Sequence, residues 1–448
     1  MIKKLLCLLL ALILATGCLA GCGESPKDEG TTTPTPSQST TTDVVDYAAA
    51  VTLDMNSATA KQEVTVKQFV DGDTTHFFVP SSVMPSGILK GRYLAINTPE
   101  STGKIEEYGK KASTFTKEKL SSATSIILES ETATWDADST GDRYLVWVWY
   151  RTSETEPYRN LNIEILQNGL AIASSSANNQ YGETCIAAIN QAKAQKLNVH
   201  SGQRDPDFYY GDAIEMTLKE LRPNVADYAN MKVAFNGIVT MNDNNGVYVE
   251  QYDPETDMYY GMFVYYGFNL NGKGMEILSV GNEVRVVGSL QYYEAGGTWQ
   301  VSDVDYRMMK PTDPGNLQKL SEGHEPAYVE TSASTFNGNV LIPSDEGETV
   351  TKRYAEMALG TSIEMKNLKV VDSYTTTNDT SSKGAFTLNC VVDGQSVDVR
   401  TTVLYDAEGN LIKASAYEGK TIDVKGMIDY FNGSYQIKVF SADNITIH

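Results

Sequence analysis

Three short stretches place residues of reactive type at turns. Val70-Asp71-Gly72-Asp73-Thr74 sets two carboxylates two positions apart across a glycine, and oxygens gathered at such a turn suit a hard cation. Arg92-Tyr93-Leu94-Ala95-Ile96 runs into Asn97-Thr98-Pro99-Glu100, an apolar strand with a guanidinium at its start and a carboxylate just past a rigid proline. Arg143 precedes a second apolar run, residues 144–150. Two guanidiniums, a cation and a carboxylate are what an in-line displacement at a phosphodiester needs. The positive groups take charge on the phosphoryl oxygens, and the carboxylate directs water at phosphorus. Each piece alone also has a plain structural use as an acidic turn, a surface ion pair or a helix start. His76, with no partner at metal-ligand spacing, reads as a strand residue.

The elements that must hold these groups follow from periodicity. Residues 63–79 alternate apolar and polar on both sides of the Asp-Gly-Asp turn and predict two paired strands. Further strands are predicted over 88–96, 125–130 and 144–150. Helical spacing appears over 105–123, 160–171 and 185–200. Short strands interrupted and followed by three helices make an α+β unit of the OB-barrel-with-helices kind.

Along residues 63–201 the order VDGDT, GRYLAINTPES, EEYGKKASTFTK, GDRYLVWVW, LQNGLA and AKAQKLNVHS resembles the staphylococcal nuclease (thermonuclease) family. The resemblance implies a calcium-dependent phosphodiesterase acting on DNA and RNA. It implies Asp73 and the Thr98 carbonyl as calcium ligands, Glu100 as general base, and Arg92 and Arg143 on the scissile phosphate. Asn97 stands where the family's type enzyme has a second calcium-binding aspartate, so one negative charge is lost and an amide oxygen is offered instead. Asp142 stands before Arg143 where a glycine is usual, and would compete for the guanidinium. The nucleotide-stacking tyrosines are missing, with Tyr181 too late to align.

The N-terminus, MIKKLLCLLLALILATGCLAGC, is a basic start followed by an apolar run, the pattern of an export signal. Leu19-Ala20-Gly21-Cys22 resembles a bacterial lipobox, which implies lipidation of Cys22 and a chain held on the outer face of a cell membrane. The Thr/Ser/Pro-rich stretch that follows, to about residue 58, reads as a disordered tether. Cys185 and Cys390 are too few and too far apart for a disulfide framework. The formal charge of −21 is uneven: residues 60–204 hold 15 Lys+Arg against 16 Asp+Glu, but residues 205–330 hold 8 against 20. The near-neutral first segment is therefore the better place to meet a phosphate.

From about residue 225 helical periodicity gives way to short alternating runs. GNEVRVVGSLQYY (281–293) matches GKTIDVKGMIDYF (419–431) at an offset of 138. TWQVSDV matches SYQIKVF, and KVAFNGIVTMN echoes EMKNLKVVDSY. The chain thus predicts two tandem all-β, OB-like modules, joined by a linker in 313–335. The expected order is a signal peptide (1–21), tether (22–58), nuclease-like domain (59–204) and modules at 205–325 and 326–448. Tyr248, Tyr252, Tyr259, Tyr260, Phe263, Tyr265 and Tyr266 are possible base-stacking residues, while Asp253, Glu255 and Asp257 read as a solvated turn. The expected activity is surface nuclease action with little base preference. The alternative is a weak or inactive nuclease-fold lipoprotein that binds nucleic acid or wall polysaccharide. No protein partner is implied.

Overall fold

A computed structural model describes residues 44–448 except 269, 271, 344–348 and 379. The predicted signal peptide, Cys22 and most of the predicted tether lie outside the described residues. The end of that tether is not free chain. A short helix α1 (Tyr47–Ala50) buries Ala48 in the first core, and Asp46 takes two hydrogen bonds from Arg159 at 2.7 and 3.0 Å. A run of three alanines, which sheds little entropy on becoming helical, explains why this piece docks.

The first barrel uses β1 (Lys61–Phe69), β2 (Thr74–Phe78), β3 (Ile88–Tyr93), β5 (Ser125–Glu129) and β6 (Tyr144–Arg151), with β4 (Ile96–Asn97) just after β3. The strands run β3-β2-β1-β5-β6, and a parallel β3–β6 pairing closes the ring. β7 (Arg159–Asn160) adds to the edge, and β4 pairs with β8 (Ile172–Ala173). Helices α2 (Gly109–Ser121), α3 (Leu161–Gln167) and α4 (Gly182–Ala194) accompany this barrel. β6 is apolar up to its closing Arg151 because both faces of its middle are covered, and Trp147 and Trp149 are fully buried.

The second barrel comprises β10 (Lys232–Asp243), β11 (Gly246–Asp253), β12 (Met258–Tyr265), β13 (Glu283–Tyr293) and β14 (Thr298–Ser302), with β9 (Ile214–Glu215) and β15 (Gln318–Ser321) at its edges. The third comprises β19 (Ser362–Thr375), β20 (Phe386–Val392), β21 (Gln395–Thr401), β22 (Thr421–Phe431) and β23 (Ser434–Val439), flanked by β16 (Val329–Glu330) and β24 (Ile445–Ile447). In each barrel the strands close in the order one-two-three-five-four, with three and five parallel. That is the OB-like topology. In each, the long first strand pairs with the fourth over its first half and the second over its other half. It bends between them at a bulge, at Val66/Gln68, Val239/Met241 and Val370/Asp372. The fold is thus multidomain, an α+β barrel followed by two all-β barrels.

The internal repeat is longer than its sequence echo suggested. β13 and β22 keep the offset of 138. The ladders place Lys232 against Ser289 and Ser362 against Met427, so the first strands start at an offset of 130. A bulge at Lys366-Asn367, with Asn367 at φ 60°, moves it to 131. The echo of KVAFNGIVTMN (232–242) in EMKNLKVVDSY (364–374), which sets Lys232 over Glu364, is therefore corrected, since a one-residue slip would turn the strand inside out. The predicted linker is also structured. β15 extends the second barrel and β16 the third, and each of β9 and β16 leads into a side-chain-capped helix, α5 (Leu218–Leu221) or α7 (Ala333–Asn337).

The two β modules are bound to each other at a buried joint. A hairpin of β17 (Asn339–Pro343) and β18 (Thr349–Arg353), followed by α8 (Tyr354–Met357), sends Ile342 and Met357 into the core of the second barrel. The backbones touch at Gly261, where a Cβ would lie 2.5 Å from the Gly360 carbonyl carbon. Glu250, on the second barrel, accepts from Ala327 N at 2.9 Å and Ser362 N at 2.8 Å. Burial pushes its carboxyl above the usual range while these donors oppose the shift. Glu250→Ala strands two buried N–H groups, so it is expected to cost about 2–4 kcal/mol in urea unfolding. An unchanged unfolding midpoint would contradict this account of the joint.

Candidate active site

The turn between β1 and β2 carries Asp71 and Asp73, and both are buried. Asp73 is only 1% exposed. Its Oδ1 receives the Arg92 guanidinium and the Thr74 hydroxyl at 3.1 Å. Its Oδ2 accepts from Thr98 N at 2.8 Å. Asp71 Oδ1 accepts from Asp73 N at 3.1 Å and so fixes the turn. The antiparallel β2–β3 pairing sets Thr74 opposite Arg92, which brings the acidic turn and the arginine together.

The predicted strand 88–96 breaks where the site needs it to. β3 ends at Tyr93, Ala95 adopts φ 69°, and β4 resumes at Ile96. Buried Asn162 of α3 holds the break by donating to Leu94 O at 2.9 Å and Val146 O at 3.0 Å. Beyond it, Arg92 donates a second bond, 2.6 Å, to Asn97 Oδ1. One guanidinium therefore bridges an oxygen of Asp73 and an oxygen of Asn97.

Glu100 follows at the next turn. Its carbonyl accepts from Glu106 N at 2.9 Å, and Gly109 at the start of α2 packs on that carbonyl so closely that a Cβ would lie 2.1 Å from it. Only glycine fits there. Glu100 keeps an exposed surface, but partial desolvation pushes its carboxyl up, and the charge of Asp71 adds to this, while Arg92 and Arg143 pull it back. Asp71 is likewise pushed up by burial and pulled down by Arg92. Asp71, Arg92, Glu100 and Arg143 therefore form one electrostatic group.

Arg143 reaches this group because β6 runs parallel to β3, with Leu145 beside Arg92. Its Nε donates to Asp138 Oδ2 at 2.8 Å. Asp142, the neighbour expected to compete for it, pairs instead with Lys90 at 2.5 Å. Asp138 was not singled out from the sequence; the turn that folds it back onto Arg143 is its only signal. Tyr181 does not enter the site: its hydroxyl donates to Glu129 at 3.0 Å and its ring stands edge-on to Trp147 and Trp149. His76 lies in β2, and burial lowers its pKa to about 4, so it is neutral at neutral pH.

Asp73, Arg92, Asn97, Thr98, Glu100 and Arg143 thus come from the β1–β2 turn, the β3–β4 segment and the start of β6. Among the described residues no group of three or more His, Cys, Asp or Glu side chains is placed to hold a metal ion. Any cation here relies on the Asn97 amide and main-chain oxygens besides the carboxylates. Of the tyrosines singled out downstream, Tyr260 is fully buried and Tyr266 nearly so, while Tyr248, with 5% of its surface exposed, lines a cleft together with Phe263 and Tyr265. Tyr252 is exposed and packs on Tyr259, ring centroids 5.1 Å apart.

Residues 90–201 match the family model described as staphylococcal nuclease homologue. This stretch runs from β3 through α4 and includes Arg92, Asn97, Thr98, Glu100 and Arg143; that part of the chain is a staphylococcal nuclease-like domain.

Proposed function

We propose, from the premise that the first barrel and its helices are a staphylococcal nuclease-like domain, that the chain is a calcium-dependent nuclease hydrolysing DNA and RNA. The observation that carries this reading is the grouping of Asp73, Arg92, Glu100 and Arg143 around one acidic turn. The fit to a cation rests on the donor set. Asp73 Oδ1 and Asn97 Oδ1 already share one positive charge, that of Arg92, and both are hard oxygens of the type calcium takes. Asp73, Asn97 and the Thr98 carbonyl would hold the ion. When bound, it supplies positive charge to a phosphoryl oxygen.

The chain's own groups do the rest. Arg143, and Arg92 when released from Asp73, bind the non-bridging oxygens and stabilise charge that grows there. Glu100 accepts a proton from the attacking water; its raised pKa makes it a stronger base than a solvated glutamate. Asp138 holds Arg143 in place until a phosphate competes for it. No base-stacking tyrosine lines the site, so discrimination among bases is slight.

The same reading places the two OB-like modules, 205–325 and 326–448, downstream of the nuclease-like domain, and a lipid on Cys22 at the outer face of a bacterial membrane. The sequence pattern before residue 44 supports the anchor. Nucleotide release from single-stranded DNA and RNA homopolymers tests the function. Comparable rates on all of them are expected. Release from none, or from one base alone, contradicts it.

Asn97→Asp restores a negative charge beside Asp73. It is expected to lower the half-saturating calcium about tenfold. This is read both in cleavage and in the calcium-dependent rise of the thermal midpoint without substrate. An unchanged or higher half-saturating concentration would show that Asn97 is not a ligand.

A further inference from the structure

The two β modules carry aromatic pairs at equivalent places. Tyr292-Tyr293 at the end of β13 and Tyr430-Phe431 at the end of β22 lie 138 positions apart. Tyr292 packs across the ladder on Trp299, and Tyr430 on its counterpart Tyr435, with ring centroids 5.2 and 4.9 Å apart. The two strand ends meet in space: a Cβ on Gly297 would lie 3.2 Å from the Tyr430 ring and 3.8 Å from the Tyr292 hydroxyl. Both pairs and Trp299 line one cleft of about 1060 Å³, bounded by α2 and both modules, whose wall also includes Tyr248, Phe263 and Tyr265. Tyr292, Tyr293 and Phe431 are 50%, 44% and 53% exposed. Packing accounts for one side of these rings; the faces repeated by duplication and left open in a cleft mark a binding surface.

The charge of the cleft decides what they receive. Its carboxylates are Glu118, Asp243, Glu294 and Asp429, and its cations are Lys110, Lys117, Arg222 and Lys438, four against four. Three of the cations are already engaged. Lys117 pairs with Glu294 at 2.5 Å and Lys438 with Asp243. Buried Arg222 donates to Glu356 O at 2.8 Å in the joint between modules. A polyanion is held by several cations free to displace its counterions, and this cleft does not offer them. Asn244, Asn245 and Gln300 add neutral donors and acceptors to the same walls. Aromatic faces rimmed by amides and carboxylates suit the C–H face and the hydroxyls of a sugar ring.

We propose that this cleft binds a neutral oligosaccharide, stacked on Tyr292, Tyr293, Trp299, Tyr430 and Phe431. None of Asp73, Arg92, Glu100 and Arg143 lines it, but Val70, Ser101 and Thr102 do, so the cleft adjoins the phosphodiester site without sharing its reacting groups. It would keep the chain on an uncharged polysaccharide while the nuclease-like domain acts nearby.

Calorimetric titration of the full-length chain with cellohexaose and with chitohexaose, without calcium or nucleic acid, tests this independently of nuclease activity. Dissociation constants between about 10 μM and 1 mM are expected for at least one of them. Tyr292→Ala and Phe431→Ala are each expected to weaken binding roughly tenfold, and Tyr292→Phe to retain it. Both side chains are about half exposed, so each variant should stay folded, with a slightly lower thermal midpoint for Tyr292→Ala, which loses its contact with Trp299. Absence of binding to both sugars at about 5 mM overturns the proposal. So does binding that neither alanine variant weakens. Binding of oligothymidylate in place of sugar, lost in the same variants, overturns it in favour of a nucleic-acid groove.

Discussion

Glu100→Gln is expected to lower phosphodiester cleavage about 10²–10⁴-fold without harming the fold. Glutamine keeps the size of the side chain and its polar end but cannot accept the proton of the attacking water. The fold should tolerate it because Glu100 is exposed and its charge is disfavoured where it stands. Partial desolvation and the neighbouring Asp71 both push its proton affinity up, and a neutral amide escapes both. The comparison is made at saturating calcium, with circular dichroism spectra and thermal midpoints recorded for both proteins. A cleavage rate within a factor of about three of wild type would remove Glu100 from the chemistry and leave water activated by another group.

Gly109→Ala is expected to act on the same residue from outside. A Cβ at this position would lie 2.1 Å from the Glu100 carbonyl oxygen and 3.1 Å from that of Pro99. The start of α2 or the Thr98–Glu100 turn must therefore move. A displacement of about 1 Å at a reacting group can cost 10²-fold in rate, so a drop of about 10–10² in kcat is expected. Destabilisation should accompany it, because α2 also packs on the first core through Ala112 and Leu120. The two effects separate by temperature: well below the midpoint, the activity loss should persist in protein that is fully folded. If activity recovers fully on cooling, Gly109 serves stability alone.

Much of this site was legible in the sequence because its groups sit on local signals. The Asp-Gly-Asp turn between alternating runs, the proline after Thr98 and the helix of residues 109–121 each follow from spacing. The barrel order did not follow from spacing alone, since closure depends on β3 and β6 pairing across 50 residues of intervening chain. Two features were invisible. The break at Ala95 depends on Asn162, a helix residue 67 positions later whose amide replaces the missing ladder bonds. The partner of Arg143 could only be guessed from adjacency, and adjacency pointed to Asp142 where folding delivers Asp138.

The β modules show the same division. Alternation marked most of their strands and the 138-residue repeat marked their kinship. The stretch between them resembled a linker because β15 and β16 are short edge strands whose pairing is set by partners far along the chain. The tyrosines of β11 and β12 drew notice as a cluster, yet Tyr260 is fully buried while Tyr248 and Tyr265 line the cleft. The open aromatics at the ends of β13 and β22 carry a subtler signal, their return at the same place in both copies.

The central claim is that the cluster of Asp73, Arg92, Glu100 and Arg143 cleaves phosphodiesters with a cation bound beside it. The most direct test follows cleavage of a labelled single-stranded DNA by the full-length chain across a calcium titration. The account predicts a saturable rise in rate that a chelator abolishes and added calcium restores. No cleavage at any calcium concentration, with the protein shown to be folded, would contradict it and leave a nuclease-like fold without nuclease chemistry.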